Sequence, residues 1–159
     1  MGKVNNILFV CTSNACRSVM AELIMGKLLE KKHISEVQVR SRGLVALFPE
    51  PVLQKAEVVI EKNGLAAGGH CAKQLAQEDI EWADLIFTMS EEQRQKVIDE
   101  FESVFELVYG IDTMKHFVEE PGDVLDPYGK DVIDYEYCFR EIERLVEKIW
   151  NKIEEEYQC

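Results

Sequence analysis

The run Ile7-Leu8-Phe9-Val10 passes directly into the polar octet Cys11-Thr12-Ser13-Asn14-Ala15-Cys16-Arg17-Ser18, and this junction constrains the chain more than any other stretch. Four consecutive apolar residues read as a buried strand. Beyond the octet, Met20, Leu23, Ile24 and Leu28 recur at helical spacing, and Lys31-Lys32 suit a helix C-terminus. A buried strand, a short polar loop and an amphipathic helix are the opening of a parallel α/β sheet. Ligands of such sheets bind beyond the carboxyl ends of the strands, which is where the 11–18 loop sits.

The remaining pattern continues the alternation. Val37-Gln38-Val39 reads as a second strand ending at Ser41-Arg42-Gly43. Phe48-Pro49-Glu50-Pro51 reads as a turn into a helix, with Pro51 in its first turn and Val52, Leu53, Ala56, Val59 and Ile60 on its buried face; Asn63-Gly64 stops it. Residues 83–89 predict a third, central strand. Ser90-Glu91-Glu92-Gln93 matches a capping box, so a helix is expected to about Phe101. Residues 104–108 suit a fourth strand, and 121–130 a loop rich in Asp, Pro and Gly. From Asp134 to Tyr157, Cys138, Ile142, Leu145, Val146, Ile149 and Ile153 form one stripe of a long amphipathic helix. The expected fold is α/β: a three-layer single domain spanning 1–159, with a central four-stranded parallel sheet and helices on both faces.

Composition limits the partners. A net charge of −12 argues against nucleic acid or anionic membrane as a partner. Attraction for an anion must then be local, since distant acids are screened beyond roughly 8 Å at physiological salt. No apolar run approaches the roughly 20 residues of a membrane helix and no signal peptide opens the chain, so a soluble cytoplasmic protein, monomeric, is expected. Five cysteines without CxxC spacing and three scattered histidines predict reduced thiols and no metal or other cofactor. Cys138 is expected in the core, Cys159 as an exposed terminal thiol, and Tyr135 and Tyr137 at the surface.

The octet suits anion chemistry. Backbone N–H groups of a strand-to-helix loop converge on an anion. A free thiol has a reference pKa of about 8.5, and inward N–H groups, a helix N-terminus and a guanidinium all favour the thiolate. Arg17 can grip a phosphate bidentately. It also stands at a helix N-terminus, where the macrodipole disfavours a cation, and such broken local rules concentrate at functional sites. Ser18 is placed to donate to the Cys11 sulfur. Asn14 tolerates the left-handed backbone that a tight loop needs. The spacing C-x5-R alone is a weak signal. The pattern supports a phosphate-binding loop with a cysteine nucleophile, and leaves a structural loop as the alternative.

Phe9-Val10-Cys11-Thr12-Ser13-Asn14-Ala15-Cys16-Arg17-Ser18, with Met20-Ala21-Glu22, resembles the signature V-C-x-G-N-x-C-R-S-P-x-A-E of the low-molecular-weight protein tyrosine phosphatases. Ser41-Arg42-Gly43, Gly69-His70 through Leu75, Ala83-Asp84-Leu85-Ile86 to Met89, and Asp126-Pro127-Tyr128-Gly129 resemble further segments of that family, in the same order. The resemblance implies hydrolysis of protein phosphotyrosine through a phosphocysteine, releasing inorganic phosphate from phosphorylated protein substrates. It makes Cys11 the nucleophile, Arg17 the phosphate clamp and Asp126 the general acid. It further implies that Thr12, Ser13, Asn14, Ala15, Cys16 and Ser18 surround the phosphate, that Asn14, Ser18 and His70 brace the loop, and that Phe48 and Tyr128 wall the pocket. It also implies a reversible disulfide between Cys16 and the nucleophile. Three positions depart from the signature. Ser13 replaces a glycine, with strain expected if that position needs positive φ; Val19 replaces a proline; Ala15 stands where a bulky aliphatic or, in the family's arginine phosphatases, a threonine is usual. Protein arginine phosphatase on the same residues is the alternative activity, because Asp126-Pro127-Tyr128-Gly129 and the C-terminal helix also resemble the family's bacterial arginine phosphatases. Arsenate reduction would need two further cysteines after the third strand, and residues 90–110 contain none. A non-catalytic anion-binding or redox module is the remaining reading.

Overall fold

The computed structural model describes residues 3–107 and 109–158. Strand β1 (Asn6–Cys11) is followed by α1 (Arg17–Lys31), β2 (Gln38–Gly43), α2 (Gln54–Lys62), α3 (Gln77–Trp82) and β3 (Leu85–Thr88). Then come α4 (Glu91–Glu100), a 3-10 helix (Glu102–Glu106), β4 (Ile111–Thr113), α5 (Met114–Phe117) and α6 (Val132–Tyr157). The four strands form one parallel sheet in the order β2-β1-β3-β4. The α/β expectation holds, including an inner position for the third strand, which lies between β1 and β4.

Parity along β1 separates the two outer layers. Ile7, Phe9 and Cys11 join a core built with α1, α2, α5 and α6. Leu8 and Val10 face the other way, onto Ile80 of α3, Val97 of α4 and Val104 of the 3-10 helix. A continuous apolar strand is needed because both faces are covered. The stripe on α6 is buried as expected, with Tyr135, Phe139 and Trp150 added to it. Each such side chain taken out of water stabilises by about 1.5–3 kcal/mol. None of the helices is long and apolar enough to cross a membrane, among the described residues.

Three expectations are corrected. The fourth strand is not at 104–108: residues 102–106 form a 3-10 helix, Ile111–Thr113 make the strand, and Val108 lies outside the described residues. Phe101, Val104 and Leu107 are three apart and all pack on the same core, which is the period of a 3-10 turn rather than of a strand. Helix α2 begins at Gln54, so Pro51 precedes it; Leu53 stays extended and donates its N–H to Ala15 O at 3.0 Å, tying this segment to the octet. Tyr135 is buried, not at the surface, because α6 turns it inward beside Cys138 and Phe139, whereas Tyr137 is exposed as expected. The short helices α3 and α5 had no sequence expectation; six and four residues carry too little periodicity to stand out. Cys138 is in the core, and Cys159 lies outside the described residues.

Candidate active site

The octet leaves the carboxyl end of β1, between β2 and β3, and its carbonyls are tied outward. Leu44 N–H donates to Cys11 O, Val45 N–H to Thr12 O, Leu53 N–H to Ala15 O and Met20 N–H to Cys16 O, at 2.8–3.0 Å. The Asn14 carbonyl lies 2.7 Å from His70 Nε2; a carbonyl only accepts, so that nitrogen carries the proton. In a trans peptide the N–H opposes the preceding C=O. Turning these carbonyls outward therefore turns the N–H groups of Thr12, Ser13, Ala15, Cys16 and Arg17 to the inside of the loop. The concavity is an anion cradle of the kind successive N–H groups form.

Asn14 is the loop's internal strut. It is fully buried at φ 56°, a left-handed conformation that asparagine tolerates. Its Nδ2 donates to Ser18 Oγ and Ser41 Oγ, both at 2.9 Å, and its Oδ1 accepts from Lys73 N–H at 2.9 Å. Ser41 in turn donates to Glu22 Oε1. Ser18 Oγ lies 2.9 Å from Cys11 Sγ. Since Asn14 occupies a lone pair of Ser18 Oγ, the hydroxyl proton is free to point at the sulfur, as the sequence suggested. Ser13 is not in the left-handed region, so the serine in place of glycine brings no such strain. Gly43 explains itself sterically: a Cβ there would come within 2.8 Å of Ala46 Cβ and 3.0 Å of Asn14 Cβ.

Arg17 is buried at the start of α1, where its Nη1 donates to Val124 O at 2.7 Å. Its Nη2 lies 3.7 Å from Asp126 Oδ2, so the structure brings together two residues far apart in sequence. Asp126 is half exposed, and its Oδ1 accepts from Tyr128 N–H at 3.1 Å, an Asx turn fixed further by Pro127. Val124 N–H donates to Met89 O, which hangs the Asp126 loop from the end of β3. Cys11 and Ala15 are buried, Thr12 and Ser13 exposed. Cys16 is buried beside Cys138; the hydrogen bond to that thiol, then burial, push the Cys16 thiol up from its ordinary value. Phe48 and Tyr128 are 72% and 71% exposed and present apolar surface to solvent. The sequence did not assign roles to Val124, Ser41 or Gln93. Val124 acts through its backbone, which no side-chain motif reveals, and Gln93 was visible only as a helix cap.

At the carboxyl end of β1, an inner strand of the parallel sheet, the fold gathers a thiol, a guanidinium and a carboxylate around one short loop. The chain belongs to the low molecular weight phosphotyrosine protein phosphatase family, whose model matches residues 6–159. A protein-arginine-phosphatase of Geobacillus stearothermophilus is 32% identical over 94% of this chain and 97% of its own. The low molecular weight protein-tyrosine-phosphatase PtpB of Staphylococcus aureus is 34% identical over 90% of this chain and 95% of its own. The crystal structure of a low molecular weight protein tyrosine phosphatase from T. tengcongensis superposes with a TM-score of 0.87 at 32% identity, over 93% of this chain and 99% of that one.

Proposed function

We propose that this protein is a phosphatase of phosphorylated proteins that hydrolyses phosphotyrosine through a phosphocysteine on Cys11. Cys11 Sγ attacks phosphorus in line with the leaving oxygen. The inward N–H groups and Arg17 bind the non-bridging oxygens and the charge they gain in the transition state. Asp126 donates its proton to the leaving phenolate oxygen. The S–P bond is then cleaved by water, whose proton passes to Asp126 as inorganic phosphate departs, while the Ser18 hydroxyl stabilises the sulfur as it leaves. The observation that carries this reading is the 3.7 Å approach of Asp126 to Arg17, together with the Ser18–Cys11 bond at the other side of the loop. Thr12, Ser13, Asn14, Ala15 and Cys16 supply the cradle by their backbone, and Phe48 and Tyr128 offer apolar surface to the residues around the phosphate.

Phosphoarginine is the second reading, favoured by the similarity to a protein-arginine-phosphatase over nearly the whole chain. The same acid would then protonate the leaving guanidine nitrogen. Ala15, small and buried in the loop, is the position where the two substrate classes part. The test is side-by-side hydrolysis of a phosphotyrosine peptide and a phosphoarginine peptide, reduced and without added metal. Faster phosphotyrosine turnover supports the main reading, and faster phosphoarginine turnover replaces it with the second. Cys11→Ser is expected to remove turnover of both; full activity in that variant overturns both.

A further inference from the structure

A glutamine that caps a helix needs only its carbonyl. Gln93 Oε1 accepts from Met89 N–H at 2.9 Å and from Ser90 N–H at 3.2 Å, which completes the N-terminal cap of α4. The amide half is surplus to that task. It reaches across 81 positions of sequence, where Nε2 donates to Thr12 Oγ1 at 3.1 Å. Thr12 directly follows Cys11. Gln93 is 5% exposed and Thr12 is exposed, so the link is part-buried, anchored on its Gln93 side.

The link closes a ring. From Thr12 it passes to Gln93 and on to Met89; Met89 O then accepts from Val124 N–H at 2.9 Å. Val124 O accepts from Arg17 Nη1 at 2.7 Å, and Arg17 belongs to the same octet as Thr12. Glu91 N–H, in the same turn, donates to Asp123 Oδ1 at 3.0 Å. The Met89–Gln93 turn thus holds the nucleophile loop on one side and the acid loop on the other, with Asp126 two residues past Val124.

We infer that Gln93 is a positioning residue, keeping the Cys11 loop and the Asp126 loop in register through this turn; the inference rests on the function proposed above. Glutamate would cap α4 equally well. It could not donate to Thr12 when ionised, and its charge beside the cradle would oppose both thiolate and phosphate. The amide is the variant that satisfies the helix and the site together.

The experiment compares Gln93→Met, Gln93→Glu, Thr12→Val and the Gln93→Met/Thr12→Val double variant with the unaltered protein. The readouts are p-nitrophenyl phosphate turnover and the pH dependence of iodoacetate alkylation of Cys11, followed by mass spectrometry of its peptide. Gln93→Met and Thr12→Val are each expected to lower kcat about three- to tenfold with KM little changed, the range a single hydrogen bond spans. The double variant should be no slower than Gln93→Met, because both remove the same link. Gln93→Glu keeps the cap, so its thermal unfolding should stay close to that of the unaltered protein, while the alkylation midpoint moves to higher pH. Multiplying effects in the double variant, unchanged kcat in Gln93→Met, or an unmoved midpoint in Gln93→Glu each overturn the inference. Alkylation needs no turnover. If the unaltered protein hydrolyses nothing, the proposed function fails, and the midpoint alone decides the role of Gln93.

Discussion

Asn14 shows how much a single residue carries. A left-handed backbone, two amide donors and one amide acceptor are all used at once, on Ser18, Ser41 and Lys73. Its choice was legible in the sequence as conformational tolerance. Its partners were not, because Ser41 and Lys73 arrive from other segments. Asp126 is the residue whose role is most sharply testable. A proton donor matters in proportion to how poor the leaving group is. Asp126→Asn should therefore lower kcat about 10²- to 10⁴-fold on a phosphotyrosine peptide, and less on p-nitrophenyl phosphate, whose leaving phenolate needs little protonation. Steady-state kinetics on the two substrates checks this, and equal losses would remove Asp126 as the acid.

At the level of elements, β2 ends against the 11–18 loop with no room to spare. Gly43 lies opposite Cys11 in the sheet register, donates its N–H to Lys73 O and accepts from Leu75 N–H. The Gly43→Ala methyl group would press on Asn14 Cβ, Ala46 Cβ and the Ser13 backbone. Overpacking of this kind costs about 1–3 kcal/mol. Gly43→Ala is expected to lower stability in urea by that amount and to weaken competitive inhibition by inorganic phosphate, since the loop must shift to relieve the contact. Unchanged phosphate inhibition would show that the loop yields without losing its shape. The capping box at Ser90 was readable from four letters because a cap is a local device: Ser90 Oγ accepts from Gln93 N–H, and the Gln93 side chain returns the bond. The 3-10 helix does not stand out in the sequence because residues 104–108 are a short, mostly apolar run that reads as a strand, and its three-residue period becomes decisive only through Phe101, Val104 and Leu107 packing on the α3–α4 face.

Across the whole molecule, α6 is anchored to the segment before the acid loop by charge as well as by its apolar stripe. Glu120 accepts from Nη1 and Nη2 of Arg144 at 2.6 and 3.0 Å, and from Lys148 Nζ at 2.9 Å. The Arg144 bond, then that of Lys148, hold its carboxyl down at about 2 against an ordinary value of 4.5. A carboxyl depressed in the fold binds its proton more readily when unfolded, so its contribution is present above pH 4.5 and is lost as pH falls towards 2. Its partners are half exposed, and solvent screening limits the effect to about 1 kcal/mol. Glu120→Gln should lower the melting temperature by a few degrees at neutral pH, with the difference from the unaltered protein shrinking between pH 4.5 and 2 and on adding salt. A difference constant over that pH range would assign the loss to packing instead.

What the sequence alone determined were the features that neighbours along the chain decide. These are the doubly buried β1, the loop between β1 and α1, the cap of α4, the stripe of α6, and with them the parallel α/β class. The octet's composition also announced anion chemistry. Tertiary structure alone decided which way the loop's carbonyls turn, since their donors are Leu44, Val45, Leu53 and His70. It alone brought Asp126 to Arg17 and Gln93 to Thr12. The physical reason is the reach of each interaction. Hydrophobic period and capping act within a turn or two of chain, whereas a hydrogen bond between side chains 81 positions apart, or an ion pair 109 apart, exists only once the sheet order β2-β1-β3-β4 has set those strand ends side by side.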